Sequence, residues 1–204
     1  MHQDGAVPAE MRGYADDVIG WRNVLFALGF IGLDPKRYDG VGFGNASTRV
    51  PPFRGPRGQQ SAFLVTATQT GMKPTLNIDD LTVVETWDLR KNRVVSRGRA
   101  LPSSESMTHG AVYDVVPGAR AVLHVHAPPI FRRAAALRLP VTPAGVGYGT
   151  PEMAAEVARM WREDNLQHTR VFAMGGHEDG VVSFGVDVDD AGARLLSVLA
   201  RALR

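Results

Sequence analysis

The apolar residues Val18, Trp21, Val24, Leu25 and Leu28 recur three and four positions apart, the spacing of one helical face, and predict a helix from Ala15 to about Leu28. Gly29 is a natural stop for it. Residues 1–14, ahead of that helix, read as a loose lead-in. The pattern then shortens. "VGFGNASTRV" (41–50) is β-like but interrupted by glycines, and "VPPFRGPRGQQ" (50–60) is a loop by composition. "SAFLVTAT" (61–68) and "LTVVETWD" (81–88) have the β-branched and aromatic content of strands, and "DLRKNRVVS" (88–96) reads as a hairpin turn into another.

In the second half, "SSESMTHGAVYDVV" (103–116) predicts a helix with Ser103 or Ser104 as its N-cap. "ARAVLHVHA" (119–127) is an apolar strand, and "IFRRAAALRL" (130–139) returns as a helix. "TPEMAAEVARMWRED" (150–164) carries a cap-like Thr150, a proline at the first helical position and an acidic first turn. "TRVFAM" (169–174) and "GVVSFGVDV" (180–188) are strands flanking "GGHED", and Asp189 or Asp190 opens a last helix. Strands and helices alternate in part and also sit in hairpins, so the pattern calls for an α/β fold in which helices cover a mixed sheet. With no repeat or linker in view, residues 15–204 are expected to form a single domain.

Composition narrows the function. The chain has 204 residues, 44% apolar and 22% charged, ordinary values for a globular protein. No apolar run approaches the roughly 20 residues that span a bilayer. The N-terminus carries acidic residues where a secretory signal needs a basic start, so a cytoplasmic location is expected and no membrane partner. There is no cysteine, which excludes disulfides, thiolate metal sites and cysteine nucleophiles. The net charge is +2, with one small basic cluster at "RGPRG" (54–58), and the clustering of a nucleic-acid surface is missing.

Chemistry enters at "AVLHVHA". Side chains alternate along a strand, so His124 and His126 share one face while Leu123, Val125 and Ala127 take the other. Two imidazoles on an apolar strand are either a packed structural pair or ligands of a divalent metal held by nitrogen and oxygen. A catalytic zinc takes three protein ligands and keeps one position open. His177, in the glycine-rich "MGGHEDG", is the best third candidate, its alternative being a solvated turn residue. His2 and His168 are peripheral; His109 lies either beside the site or on a helix surface. Glu105 is a candidate for proton chemistry or simply a favourable charge at a helix start, with Glu178 and Asp179 as alternatives.

Five motifs then occur in one order: "GFGNASTR" (42–49), "TQTG" (68–71), "PSSE" (102–105), "AVLHVHA" (121–127) and "GGHEDG" (175–180). Together they resemble the class II aldolase/adducin family, which includes fuculose-phosphate and rhamnulose-phosphate aldolases, over roughly residues 15–200. The resemblance implies a three-layer α/β/α domain with a central, mostly antiparallel sheet. It implies a divalent metal, zinc before manganese or cobalt, on His124, His126 and His177, with Glu105 as acid/base. It also implies a substrate phosphate held by Gly44, Asn45, Thr70, Gly71, Ser103 and Ser104. Small residues and hydroxyls leave backbone N–H groups free for an anion, which agrees with that assignment. Arg49 either adds charge to the pocket or lies on the sheet surface.

The implied reaction is retro-aldol cleavage of a small hydroxy-carbonyl or sugar-phosphate substrate through a metal-stabilised enediolate. Same-family epimerases, dehydratases and decarboxylases, and a non-catalytic adducin-like binding protein, are the rival readings. Three departures from the family pattern stand out. "GGHEDG" puts two acidic residues after the third histidine where glycine is usual. Gln69 replaces the proline of T-P-x-G. The sequence stops after its last helix, and no tyrosine can be carried over as the one that completes such sites; Tyr113 and Tyr148 are candidates. A homo-oligomer is expected.

Overall fold

The computed structural model describes residues 1–53, 61–116 and 118–204; the basic cluster at 54–58 lies outside them. The strands are β1 (His2–Asp4), β2 (Asn45–Arg49), β3 (Phe63–Thr66), β4 (Leu81–Asp88), β5 (Arg93–Gly98), β6 (Ala121–His126), β7 (Val171–Ala173) and β8 (Gly180–Gly185). The helices are α1 (Arg12–Ala27), α2 (Ser106–Val115), α3 (Pro128–Phe131), α4 (Pro151–Glu163), α5 (Leu166–Thr169) and α6 (Val188–Ala202). One eight-stranded sheet runs β1-β5-β4-β3-β2-β6-β8-β7. Every pair in it is antiparallel except β1 with β5. This is the mostly antiparallel α/β/α architecture that the motifs imply.

Alternation along each strand divides the interior into two cores. Val18 and Leu25 of α1 and Leu195 and Val198 of α6 pack with Leu64, Val83, Leu123 and Val125 on one side of the sheet. Met107 and Val112 of α2 and Met153, Val157 and Met160 of α4 pack with Phe63, Val65, Val122 and Phe184 on the other. Each such side chain contributes about 1.5–3 kcal/mol by leaving water. All six residues of β6 are buried, so its even-numbered face runs from Val122 in the second core directly to His124 and His126.

Several expectations are corrected in detail. Residues 1–14 are not a loose lead-in: β1 joins the sheet edge through backbone bonds that need no apolar pattern, the Met1 ammonium donates to the Val94 carbonyl, and α1 already starts at Arg12. Gly29 ends α1 as expected, at φ 69, with Gly29 N–H donating to Phe26 O and Phe30 N–H to Leu25 O. The helix expected over 130–139 is one turn, α3. Beyond it, the N–H groups of Arg133 and Ala134 close three-residue turns, so Ile130, Ala134 and Leu137 stay buried without a regular helix. The cap of α2 is Glu105 rather than Ser103 or Ser104, and that of α6 is Asp187, which accepts from Asp190 N–H, rather than Asp189 or Asp190. Thr150 caps α4 as expected, accepting from Met153 N–H.

Candidate functional site

The end of β6 lies beside the start of α2, and the turn between β7 and β8 closes over both. One ligand nitrogen from each of His124, His126 and His177 lies within 4.8 Å of the others. His126 Nε2 and His177 Nε2 are 3.0 Å apart. The turn reaches this point because its glycines accept close backbone contact: a Cβ on Gly175 would sit 2.1 Å from Thr142 O, and one on Gly176 2.3 Å from Val146 O. His124 Nε2, His126 Nδ1 and Glu105 Oε1 are buried without a hydrogen-bond partner among the described residues. Three converging neutral imidazoles with unpartnered buried nitrogen suit a borderline divalent cation, so the residues fit the metal that the family implies.

Burial keeps these groups uncharged. It pushes His126 down to about 3 and His177 to about 4, and holds His124 well below the usual imidazole range. Glu105 is pushed up to about 8 by burial, against a bond from Thr108 Oγ1 to its Oε2 at 2.9 Å. Glu105 Oε1 is 3.6 Å from His177 Nε2, and the opposed shifts make the two neutral neighbours at pH 7 rather than an ion pair. Thr108 Oγ1 also accepts from Gly149 N–H, so one hydroxyl ties the carboxyl to the loop before α4.

The anion-binding candidates line the same pocket: Gly44, Asn45, Thr70, Gly71, Ser103 and Ser104 surround the opening above Glu105 and the histidines. Gly44 has φ 76, and a Cβ there would be 2.7 Å from Ile31 Cγ1. Gly71 is required because its Cβ would meet Gly32 O at 2.3 Å. The Thr70 hydroxyl donates to Ala67 O and so braces its own turn. Gln69 has φ 57, which proline cannot adopt, so this turn differs in backbone from a T-P-x-G turn.

Some residues take other roles. Asp179 turns away from the histidines and accepts from Tyr38 Oη at 2.8 Å and Arg37 Nη2 at 3.2 Å, while Glu178 stands exposed at the pocket rim. The Tyr38 ring packs edge-on against His126, 4.2 Å between centroids. Tyr148 reaches the pocket, 4.6 Å from the His177 ring, whereas Tyr113 is buried beneath it on Ser47. Arg49 lies over the Tyr113 ring rather than in the pocket. His109 is fully buried beside the site, bonded to Asn45 and Ser47.

Sequence reading missed Arg22. It is fully buried in α1 and donates to the carbonyls of Thr70 at 2.8 Å, Gly71 at 3.4 Å and Pro74 at 3.3 Å. A trans peptide points its N–H opposite its C=O, so drawing these carbonyls to Arg22 turns the next N–H groups away from it. The available signal was its position, four residues after Val18 and three before Leu25, inside the apolar stripe.

The opposed shifts predict a pH profile for the chelated protein. His109 (about 3), His124, His126 and His177 are depressed in the fold, so their stabilisation is present above 6.5 and lost as pH falls through 4 toward 3. Glu105 is raised, so its contribution is present below 4.5 and lost as pH rises through about 8. Four histidines outweigh one carboxyl on the acid side, so in chelator stability should fall more steeply toward acid than toward alkali. Urea unfolding midpoints across pH in excess chelator check this, and Glu105→Gln should flatten the alkaline limb.

The comparisons with known proteins agree with this fold. The profile of the Class II Aldolase and Adducin N-terminal domain matches residues 32–134. The chain belongs to that family. A search of the curated proteins finds no match. Among solved structures, L-fuculose-1-phosphate aldolase from Thermus thermophilus is 23% identical with a TM-score of 0.67, over 94% of this chain and 91% of that one. A sugar-phosphate aldolase from Thermotoga maritima is 16% identical, TM-score 0.69, over 96% and 94%. YgbL from Klebsiella pneumoniae, a candidate aldolase/epimerase/decarboxylase, is 19% identical, TM-score 0.67, over 98% and 89%. These likenesses concern the fold. Among the described residues no helix is long and apolar enough to cross a membrane.

Proposed function

We propose that the chain is a divalent-metal-dependent aldehyde-lyase of the class II aldolase type, cleaving a small hydroxy-carbonyl compound that carries an anionic group such as phosphate. The observation that carries this reading is Glu105: a buried carboxyl, protonated at neutral pH, 3.6 Å from His177 of the histidine triad and in the pocket lined by the candidate anion-binding residues. His124, His126 and His177 would hold the cation, zinc by their all-nitrogen character, with manganese or cobalt as substitutes. When bound, it supplies Lewis-acid polarisation of the substrate oxygens.

The chain's own residues do the rest. Gly44, Asn45, Thr70, Gly71, Ser103 and Ser104 bind the anionic end and set its distance from Glu105. When the C–C bond breaks, the cleaved carbinol becomes the aldehyde and releases its hydroxyl proton to water in the open pocket, the bond's electron pair stays on the carbon next to the carbonyl, and protonated Glu105 delivers a proton to that carbon. In the synthetic direction the carboxylate removes that proton. A carboxyl held near pH 8 by burial serves both roles close to neutrality. Thr108 keeps it aimed.

A non-catalytic binding protein would gain nothing from an unpartnered buried carboxyl oxygen beside three imidazoles. The exposed apolar side chains of Val41 and Tyr148 at the pocket, with Met72 next to Gly71, suit a subunit contact, and we take the protein to be a cytoplasmic homo-oligomer.

The test incubates zinc-loaded protein with a panel of sugar phosphates and follows aldehyde release with a coupled dehydrogenase. Aldehyde formation dependent on zinc is expected. An isomerised product without cleavage would replace this reading with an epimerase, and loss of water or carbon dioxide with a dehydratase or decarboxylase.

A further inference from the structure

Five side chains form one buried hydrogen-bonded line that ends on a triad histidine. His124 Nδ1 lies 3.3 Å from Asn45 Nδ2, and Asn45 Oδ1 lies 2.6 Å from His109 Nε2. His109 Nδ1 is 2.6 Å from Ser47 Oγ, which is 2.7 Å from the Tyr113 hydroxyl. Asn45 Nδ2 also donates to Ser103 Oγ at 3.1 Å. The register that sets Asn45 opposite His124 across β2 and β6 fixes the first contact, and α2 brings in His109 and Tyr113 one turn apart.

This line has a direction, and each member constrains the next. With the Asn45 amide nitrogen toward His124, the Nδ1 atom of His124 accepts and its proton sits on Nε2. The Asn45 carbonyl then accepts from His109 Nε2–H, leaving His109 Nδ1 to accept from the Ser47 hydroxyl. A neutral imidazole that carries its proton on Nε2 cannot ligate through Nε2. Yet Nε2 is the atom that His124 has free for a ligand, buried and without a partner among the described residues.

Ligation therefore needs the proton on His124 Nδ1, and among the described residues the neighbour bonded to that atom is Asn45. Asn45 must present its carbonyl, which turns the amide over and points its NH2 at His109 Nε2. His109 Nε2 must then accept, so the His109 proton moves to Nδ1 and donates to Ser47 Oγ. Ser103 Oγ, an acceptor from Asn45 in the first direction, becomes a donor to the Asn45 carbonyl in the second. No residue gains or loses a proton overall; both histidines exchange one tautomer for the other. Neutral His109 is suited to this, because burial pushes it down to about 3 and either nitrogen can carry its one proton.

We propose that Asn45, His109 and Ser47 form a tautomer-coupled support for His124, whose hydrogen-bond direction reverses as one unit when His124 takes up a divalent cation, and which passes that state to the Ser103 hydroxyl at the anion pocket. His109 is thus a positioning residue for a ligand it does not touch. The inference rests on the reading of the histidine triad as a cation site.

Its test is spectroscopic and uses the whole wild-type chain. Long-range 1H–15N spectra of protein labelled at histidine report the tautomer of each ring in excess chelator and after one equivalent of zinc, with bound zinc measured in the same sample. The expected result is that His109 changes from the Nε2–H to the Nδ1–H form on zinc addition, together with His124. Zinc bound at the triad with His109 unchanged overturns the coupling and leaves the cation site standing. No zinc bound overturns the cation site, and the coupling with it. Two variants give an independent readout. His109→Gln can still offer Asn45 either a donor or an acceptor and should bind zinc within a fewfold of wild type. His109→Leu can offer neither and should bind it about 10–100-fold more weakly, the range for lost supporting bonds. Folded His109→Leu with wild-type affinity would also overturn the coupling.

Discussion

Glu105→Gln lowers aldehyde release by about 10²–10⁴-fold, the usual contribution of a positioned general acid or base, while zinc content stays at the wild-type level. The amide is nearly isosteric, and its oxygen still accepts from Thr108 Oγ1, so the side chain keeps its place. What is lost is the proton. A carboxyl held up to about 8 by burial exchanges a proton near neutral pH, whereas an amide does not exchange one there. The alkaline side of the rate profile, which reports Glu105 in wild type, should disappear from whatever activity remains. Steady-state assays beside metal analysis make the check: unchanged turnover in a zinc-loaded variant removes Glu105 from the acid/base role.

Removing a ligand should be costlier for the cation itself. In His177→Ala, two imidazoles of β6 are left on one side of the site, and zinc affinity should fall by more than about 100-fold, since even the loss of a supporting partner costs roughly 10–100-fold. His177 is the informative choice because it sits on the turn between β7 and β8, half-buried, while His124 and His126 are embedded in the central strand. Its loss therefore tests the site with less risk to the fold. Chelator competition measures the affinity, and a thermal melt in chelator should stay close to wild type, because the side chain removed is a half-buried one on a turn and not part of either core. Wild-type zinc affinity in His177→Ala would exclude it as a ligand.

The parts legible in the sequence are those with a local cause. Period-two alternation placed His124 and His126 together and Leu123 and Val125 opposite, and the two cores divide along that line. Thr150 and Gly29 bounded their helices because capping is decided within one turn. Errors came where local rules competed. Asp189 and Asp190 were the candidates for the start of α6, and the cap fell to Asp187 because its oxygen reaches Asp190 N–H. Residues 130–139 were expected to form a helix, but i→i−3 bonds after α3 keep Ile130, Ala134 and Leu137 buried without one.

His177 was a candidate from its glycine-rich turn, but nothing in "GGHED" says that Thr142 and Val146 receive those glycines. Arg22 was hidden because a cation in an amphipathic helix reads as surface until the carbonyls of the 70–74 turn are seen around it.

By itself the sequence determined which residue types were available, which face of each strand they occupy, and the family to which their order belongs. Tertiary structure decided their chemistry. Asn45 and His109 are 64 residues apart, and His126 and His177 51, so only the closed sheet and α2 could bring them within hydrogen-bond reach. The same closure sent Asp179 to Arg37 and Tyr38 instead of to the histidines. It also stripped water from Glu105, and a carboxyl's affinity for its proton is set by that loss of solvent, which no local pattern encodes.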